Sequence, residues 1–257
     1  MKNFRHSRNQ RPKKNRLIIG VNAIIQALEE DTQLERIFIL TTLNSSETAR
    51  LKKLAADRGV PINKVPVEKL NSFNAGEHQG CIALLSKIKY SNLQQLISFS
   101  FENRVVPLFL MLDGITDIRN IGAIARSAYA MGVTAIIIPE KGVGALNEDA
   151  IFTSAGALEQ LPVCRVNSLM KAVDELHLNG IKVYATEMTA GQNVFDANFK
   201  DPCAIVMGGE EQGIYPALLK ICDEKLKIPM PGNFESLNVS VATGMVLYEA
   251  VRQRLRE

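Results

Sequence analysis

The sequence predicts an α/β protein in which a C-terminal parallel-sheet domain follows a small α/β domain. Three observations point there. From Val105 to the end, strand-like and helix-like patterns alternate. Several of those strands are unbroken apolar runs (Leu108 to Leu112, Ala135 to Ile138, Ala204 to Met207), as expected for a parallel sheet buried on both faces. Upstream, a Ser-, Asn- and Gln-richer stretch, 86–104, separates this pattern from a shorter one. At 257 residues the chain accommodates one large domain or two ordinary ones, and 46% hydrophobic with 22% charged residues is globular rather than disordered composition.

In order along the chain, residues 1–16 form a basic tail with seven Lys or Arg and no acid, leaving the remainder with a formal charge of −4. Such a tail fits phosphate contact or solvated disorder, and the two are compatible. The span 17–85 reads as the small domain. It holds a helix from Gly20 to Leu28, a short buried strand Arg36–Leu40 and a helix Ser46–Asp57 with Ser46 as a plausible cap. An extended edge follows at Val60–Val65, because Pro61 and Pro66 disfavour a central strand, then a short helix Val67–Phe73 and a strand Gly80–Leu85. Residues 86–104 read as a linker with one or two helical turns around Leu93–Ile97. In 105–257, strands are expected at Val106–Leu112, Thr134–Pro139, Leu161–Val166, Ile181–Ala185, Ala204–Met207 and Lys225–Ile228. Helices are expected at Ile118–Met131, Asn147–Leu158, Ser168–Leu178, Tyr215–Cys222 and Leu237–Arg254. In the last helix Leu237, Val241, Met245 and Tyr248 repeat at 3- and 4-residue spacing and read as its core stripe. Gly244 in its interior suggests a close neighbour, since a mid-helix Gly costs about 1 kcal/mol relative to Ala.

Several function classes are disfavoured. The apolar run after the basic start is interrupted by Asn22 and Gln26 and lacks a small-residue cleavage site, so it reads as strand and helix rather than signal peptide. No apolar run reaches the roughly 18–20 residues of a membrane span. Four dispersed cysteines without C-x-x-C fit reduced thiols in a cytoplasmic protein, and three scattered histidines offer no metal-ligand set.

In parallel sheets, ligands bind beyond the carboxyl ends of strands. Three such loops are polar and contain glycine: Asp113–Arg126, Gly208–Gly213, and Ile228–Asn238. The second is neither G-x-G-x-x-G nor a phosphate loop, and Glu210 and Glu211 would repel phosphate, so a neutral or cationic ligand group fits better. Arg126 lies about 200° around its helix from Ile124 and faces away from the core. Taken singly, a surface Arg126, a helix-terminal Asn120 and helix caps at Ser236 and Asn238 are the plainer readings.

Together, Asn120-Ile-Gly-Ala-Ile-Ala-Arg126, Ile205-Val-Met-Gly-Gly-Glu-Glu-Gln-Gly213 and the run from Ile228-Pro-Met-Pro-Gly232 to Ser236-Leu-Asn-Val-Ser-Val-Ala242 resemble the three motifs of the SpoU (TrmH-type, SPOUT superfamily) RNA ribose 2′-O-methyltransferases. They stand in the family's order. The small domain, with Gly20-Val-Asn-Ala23 at its start and His78-Gln-Gly-Cys-Ile82 at its end, resembles the RNA-binding domain that precedes the catalytic one in RlmB-type rRNA enzymes. The resemblance implies a deep C-terminal trefoil knot, a homodimer, RNA as substrate and S-adenosyl-L-methionine as methyl donor, and the scattered histidines lead to the expectation of no metal. Gly208, Ile228 and Leu237 would contact the cofactor, largely through main-chain groups. Asn120, Arg126, Glu210, Ser236 and Asn238 would form the catalytic set.

A ribose 2′-hydroxyl is a poor nucleophile, so the protein must supply in-line positioning and stabilise charge developing on its oxygen. By resemblance Arg126 would do so, its fork engaging a phosphate and the hydroxyl together. A general-base role asks more of a guanidinium, which is hard to deprotonate. Asn120, Ser236 and Asn238 would orient the ribose and Arg126, and Glu210 would hold a polar partner. The expected substrate is a guanosine of 23S rRNA, with tRNA as the alternative and a silent RNA-binding or ribosome-assembly protein as the other class. Asn233-Phe-Glu235 puts an aromatic and a carboxylate just before Ser236, a departure that would either alter substrate choice or merely point to solvent.

Overall fold

The computed structural model describes residues 17–144, 146–232 and 236–255, and the basic tail and Asn233–Glu235 lie outside them. The chain divides into two compact units, through Ser86 and from Lys87 onward.

The first unit contains β1 (Leu17–Ile19), α1 (Val21–Glu29), β2 (Leu34–Leu40), α2 (Ser46–Asp57), β3 (Ile62–Val65), α3 (Val67–Asn71) and β4 (Cys81–Leu85). Its sheet runs β1-β4-β2-β3, with β4 antiparallel to both neighbours and β3 a parallel edge strand. Side chains alternate across it, as the two-residue period of a strand requires. Ile37, Ile39, Cys81 and Ala83 pack on α1 and α2, whereas Phe38 and Ile82 pack on Leu70 of α3. Gly20 precedes α1 at φ +89, a conformation side chains rarely adopt. Ser45, one residue before the expected cap, accepts from Thr48 N, and Thr48 returns the bond to form a capping box.

The second unit opens with α4 (Leu93–Glu102) and continues through β5 (Leu108–Asp113), α5 (Ile118–Ala130), β6 (Ala135–Pro139), α6 (Glu148–Thr153), α7 (Ala157–Gln160) and β7 (Val163–Val166). Next come α8 (Leu169–Leu178), β8 (Lys182–Thr186), β9 (Gln192–Asn193), a 3-10 turn, β10 (Cys203–Gly208), α9 (Pro216–Ile221), β11 (Glu224–Lys227) and α10 (Val239–Arg254). The sheet order is β7-β6-β5-β10-β8-β11-β9, and all its strand pairs are parallel. Leu108, Leu110 and Leu112 point to a core shared with α5, α6 and α10, while Phe109 and Met111 point to one shared with α4 and α8. Both faces are therefore covered, which is why these strands lack polar alternation.

Three expectations need correction, and one pair of elements was not expected. The stretch read as a linker contains a ten-residue helix, α4, whose Leu93 and Ile97 are buried in the second unit. The single helix expected at Asn147–Leu158 breaks into α6 and α7, because Ala155 and Gly156 both take positive φ. The pair β9 and its 3-10 turn carry no periodicity long enough to be read. Finally, α10 buries Val239, Thr243, Val246, Leu247 and Ala250, leaving Val241, Met245 and Tyr248 exposed. That stripe is not core within this chain, and an added Cβ at Gly244 would meet nothing within 4 Å.

Candidate active site

The polar loops gather over the carboxyl ends of β5, β10, β8 and β11, and glycine makes that convergence possible. A Cβ on Gly208 would sit 2.3 Å from Gly213 C and 2.4 Å from Ile214 N. One on Gly209 would lie 2.5 Å from Gly114 O. With no side chains there, Gly209 N donates to Asp113 O at 2.9 Å and Gly213 N to Gly209 O at 2.9 Å. Asp113 Oδ2 also accepts from Tyr215 N at 2.7 Å, tying the end of β5 to the start of α9.

Beside this turn lies a polar cluster drawn from three distant parts of the chain. Asn238 caps α10, its Oδ1 accepting from Ser240 N at 3.0 Å and from Ser240 Oγ at 2.5 Å. Its Nδ2 donates to Glu210 Oε1 at 2.7 Å and to Asn120 Oδ1 at 3.0 Å. Asn120 Nδ2 donates to the same Glu210 oxygen at 3.2 Å, and Val239 N approaches it at 3.5 Å. One carboxylate oxygen thus collects donors from α5 and from the start of α10. The cap reading of Asn238 and the cluster reading are both satisfied, one by each end of the amide.

A cavity of about 480 Å³ opens next to the cluster, lined in part by Gly208, Glu210, Ile228, Ser236 and Leu237. Arg126 is exposed on α5, outside the cavity lining, and makes no hydrogen bond or ion pair among the described residues. Asn120, Glu210 and Asn238 are therefore joined, Gly208, Ile228, Ser236 and Leu237 share the cavity, and Arg126 stands apart from both.

The last residue of β8, Thr186, and the loop after it, with Glu187, Met188 and Thr189, line the same cavity, residues that sequence reasoning passed over. A polar segment leading to Gly191 directly after an apolar strand was the available signal. Thr186 is held by donating to Val206 O at 2.9 Å, and Glu187 N donates to Leu226 O at 2.9 Å. Among the described residues no group of three His, Cys, Asp or Glu could hold a metal, and no helix is long and apolar enough to cross a membrane.

A parallel sheet covered on both faces, with one cavity at its strand ends and an amide–carboxylate cluster at the rim, is the layout of an α/β ligand-binding enzyme domain. Residues 107–248 match the SpoU rRNA methylase family, and residues 17–91 match the model described as RNA 2′-O ribose methyltransferase substrate binding. The chain belongs to the SpoU rRNA methylase family. Among its relatives, the 23S rRNA (guanosine-2′-O-)-methyltransferase RlmB of Xylella fastidiosa is 36% identical over 245 residues, covering 94% of this chain and 98% of that one. A Bacillus subtilis protein whose name places it among TrmH-family tRNA/rRNA methyltransferases is 34% identical over 237 residues, 92% of this chain and 95% of that one. The SpoU methyltransferase AviRb of Streptomyces viridochromogenes, solved with AdoMet, has a TM-score of 0.60 at 26% identity over 94% of this chain and 91% of that one.

Proposed function

We propose that this protein transfers a methyl group from S-adenosyl-L-methionine to a ribose 2′-hydroxyl of RNA, its substrate a guanosine of 23S rRNA. The observation that carries the reading is the shared Glu210 oxygen, which brings Asn120 and Asn238 together beside a cavity suited to the cofactor. The likeness to RlmB over 94% of this chain supports the substrate.

The cavity fits the methyl donor on this chain's own features. Its volume lies within the range of roughly 300–1,000 Å³ usual for small-ligand sites. Leu226, Ile228, Met230 and Leu237 offer apolar contact, and Glu187 and Glu211 suit a ligand bearing cationic groups. We assign Gly208, Ile228 and Leu237 to hold it. When bound, the cofactor supplies an activated methyl group on a sulfonium.

The residues at the rim do the rest. Glu210 fixes both asparagine amides, leaving Asn120 and Asn238 in a set orientation toward an incoming ribose. Ser236 sits at the cavity edge as a further hydroxyl partner. Arg126, unpaired among the described residues, is available to an RNA phosphate and to charge developing on the 2′ oxygen. Residues 17–85, and the basic tail through its charge, are assigned to RNA binding.

The family's C-terminal knot belongs to this reading, as does a homodimer. Val241 (47% exposed), Met245 (45%) and Tyr248 (60%) form an apolar stripe on α10, and Gly244 beside them leaves room for close approach. A second copy is the occupant we assign to it. We place the protein in the cytoplasm, where its four free cysteines would stay reduced. Mapping ribose methylation in total RNA with and without the protein tests the reading. Loss of one 23S rRNA guanosine methylation is expected, while a change confined to tRNA would overturn the substrate.

A further inference from the structure

At the far end of α10 from Asn238, Arg254 directs its guanidinium entirely at main-chain oxygens and one thiol. Nε donates to Phe199 O at 2.7 Å and Nη1 to Val106 O at 2.8 Å. Nη2 donates to Pro107 O and to Asp201 O, each at 3.1 Å, and reaches Cys203 Sγ at 3.5 Å. Gln253 adds two bonds, donating to Ala197 O at 3.0 Å and accepting from Phe199 N at 3.0 Å. Val106 and Pro107 lead directly into β5, and Asp201 and Cys203 stand at the entry of β10.

The exits of the same two strands meet the other end of this helix. Glu210 follows β10 and Asn120 follows β5, and both bond Asn238. A 16-residue α10 is about 24 Å long at 1.5 Å per residue, so it spans the sheet face from strand entries to strand exits. A helix is stiff. A turn or slide at one end is carried to the other, and one residue of register corresponds to about 100° of rotation.

We infer that Arg254, with Gln253, is a positioning residue for the rim cluster: its grip on the entries of β5 and β10 sets the rotation and axial position of α10, and through it the placing of Asn238 against Glu210 and Asn120. The inference rests on the proposal that this cluster serves methyl transfer. The chemistry suits Arg alone. Its rigid planar fork carries five N–H donors, and charge-assisted bonds are roughly twice as strong as neutral ones. A lysine offers three donors around a single nitrogen and cannot cover carbonyls on both strands.

The test uses the full chain with Arg254→Met, Arg254→Lys and Gln253→Met, assayed well below each unfolding midpoint. Ile97→Ala serves as a control, since Ile97 is buried in the core on the opposite sheet face and its truncation destabilises by cavity formation. Arg254→Met should lower kcat for RNA methylation by about 10-fold or more, because small misplacements of reacting groups are costly, while KM for the methyl donor stays put. Arg254→Lys should fall between, and Ile97→Ala should keep its kcat although its midpoint drops. Independently of activity, the ¹⁵N side-chain amide resonances of Asn120 and Asn238 should move in the Arg254 variants and not in Ile97→Ala. If Arg254→Met does not fold, Arg254→Lys and Gln253→Met carry the same readouts. Unmoved amide resonances, or an equal kcat loss in Ile97→Ala, overturns the inference. Absence of methylation by the wild-type chain would sink the proposed function instead, with the resonances still deciding the clamp.

Discussion

Asn238 and Glu210, 28 residues apart in sequence, meet at 2.7 Å through the side-chain amide of one and the carboxylate of the other. The same Glu210 oxygen also accepts from Asn120, so this carboxylate, just past the end of β10, joins the first turn of α5 to the start of α10. Glu210→Ala removes the common acceptor, leaving Asn120, among the described residues, held only through Asn238 and Asn238 only by that bond and by Ser240. The expected loss in kcat is roughly 10²–10³-fold, the size seen when a preorganised polar contact is deleted. Glu210→Gln keeps an acceptor oxygen without the charge and should lose less. Methyl incorporation measured at saturating RNA distinguishes the two, and near-normal turnover by Glu210→Ala would refute the role of the cluster.

Arg126→Ala should reduce methyl transfer by about 10³-fold or more, as expected for a group that stabilises transition-state charge. Arg126 lies outside the cavity lining, so cofactor affinity should stay within about two-fold, the scatter expected for a distant surface change. Calorimetric titration of S-adenosyl-L-methionine into the variant checks the second half. A large loss of cofactor affinity would show that Arg126 acts on the cavity rather than on the RNA.

How much of this could be read in the sequence depends on the range of the forces involved. The central strands of the second unit are legible because burial on both faces leaves a short apolar run, as in Leu108–Leu112. The loops bearing Asn120, Glu210 and Asn238 were legible as polar, Gly-containing strand exits. Their convergence on one oxygen was not, since it depends on β10 lying beside β5, a pairing between segments about 95 residues apart that local pattern does not encode. The exposed stripe of α10 was misread for a related reason. Periodicity locates apolar faces, but α10 has one containing Val239, Val246 and Ala250 and another containing Val241 and Met245, and only packing selects between them. The cavity contribution of Glu187 and Met188 is not legible, because the segment after β8 carries no glycine until Gly191 and looks like an ordinary polar turn.

Gly208→Ala should abolish cofactor binding and cost the fold about 1–3 kcal/mol, the usual cost of forcing extra atoms into a packed site. Its new methyl would meet the main chain of Gly213 and Ile214, atoms that cannot swing aside as a flexible side chain does. A lowered unfolding midpoint with no calorimetric signal for the cofactor is the expected pair of results. Wild-type affinity in a stable variant would contradict the close approach of Gly208 to the main chain of Gly213 and Ile214.

Stability should fall at alkaline pH for a definable reason. Burial, with a smaller contribution from Glu175, pushes the Cys164 thiol from 9.0 up to about 12, and burial alone does the same for Cys81. Above pH 9 the unfolded chain loses these protons while the folded chain keeps them. The stabilisation is therefore fully present below that pH and is lost progressively as pH rises toward 12. Denaturant unfolding between pH 7 and 11 should show this decline, and Cys164→Ala should flatten it for the second unit. An unchanged slope in that variant would rule out the thiol as a source.

Met245→Asp tests the second copy on α10. In a single chain the side chain is exposed, so the substitution should shift stability by no more than about 0.5 kcal/mol. Against a partner it would bury an unpaired charge, a loss of several kcal/mol that a modest interface cannot absorb. Sedimentation equilibrium should then find wild-type dimer and variant monomer at the same concentration. Gly244→Ala adds a finer probe. It should raise helix stability by about 1 kcal/mol in the monomer, where an added Cβ has open space, yet weaken association if a partner helix passes close by. Dimers of unchanged strength in both variants would place the interface elsewhere and leave the stripe on α10 without a role.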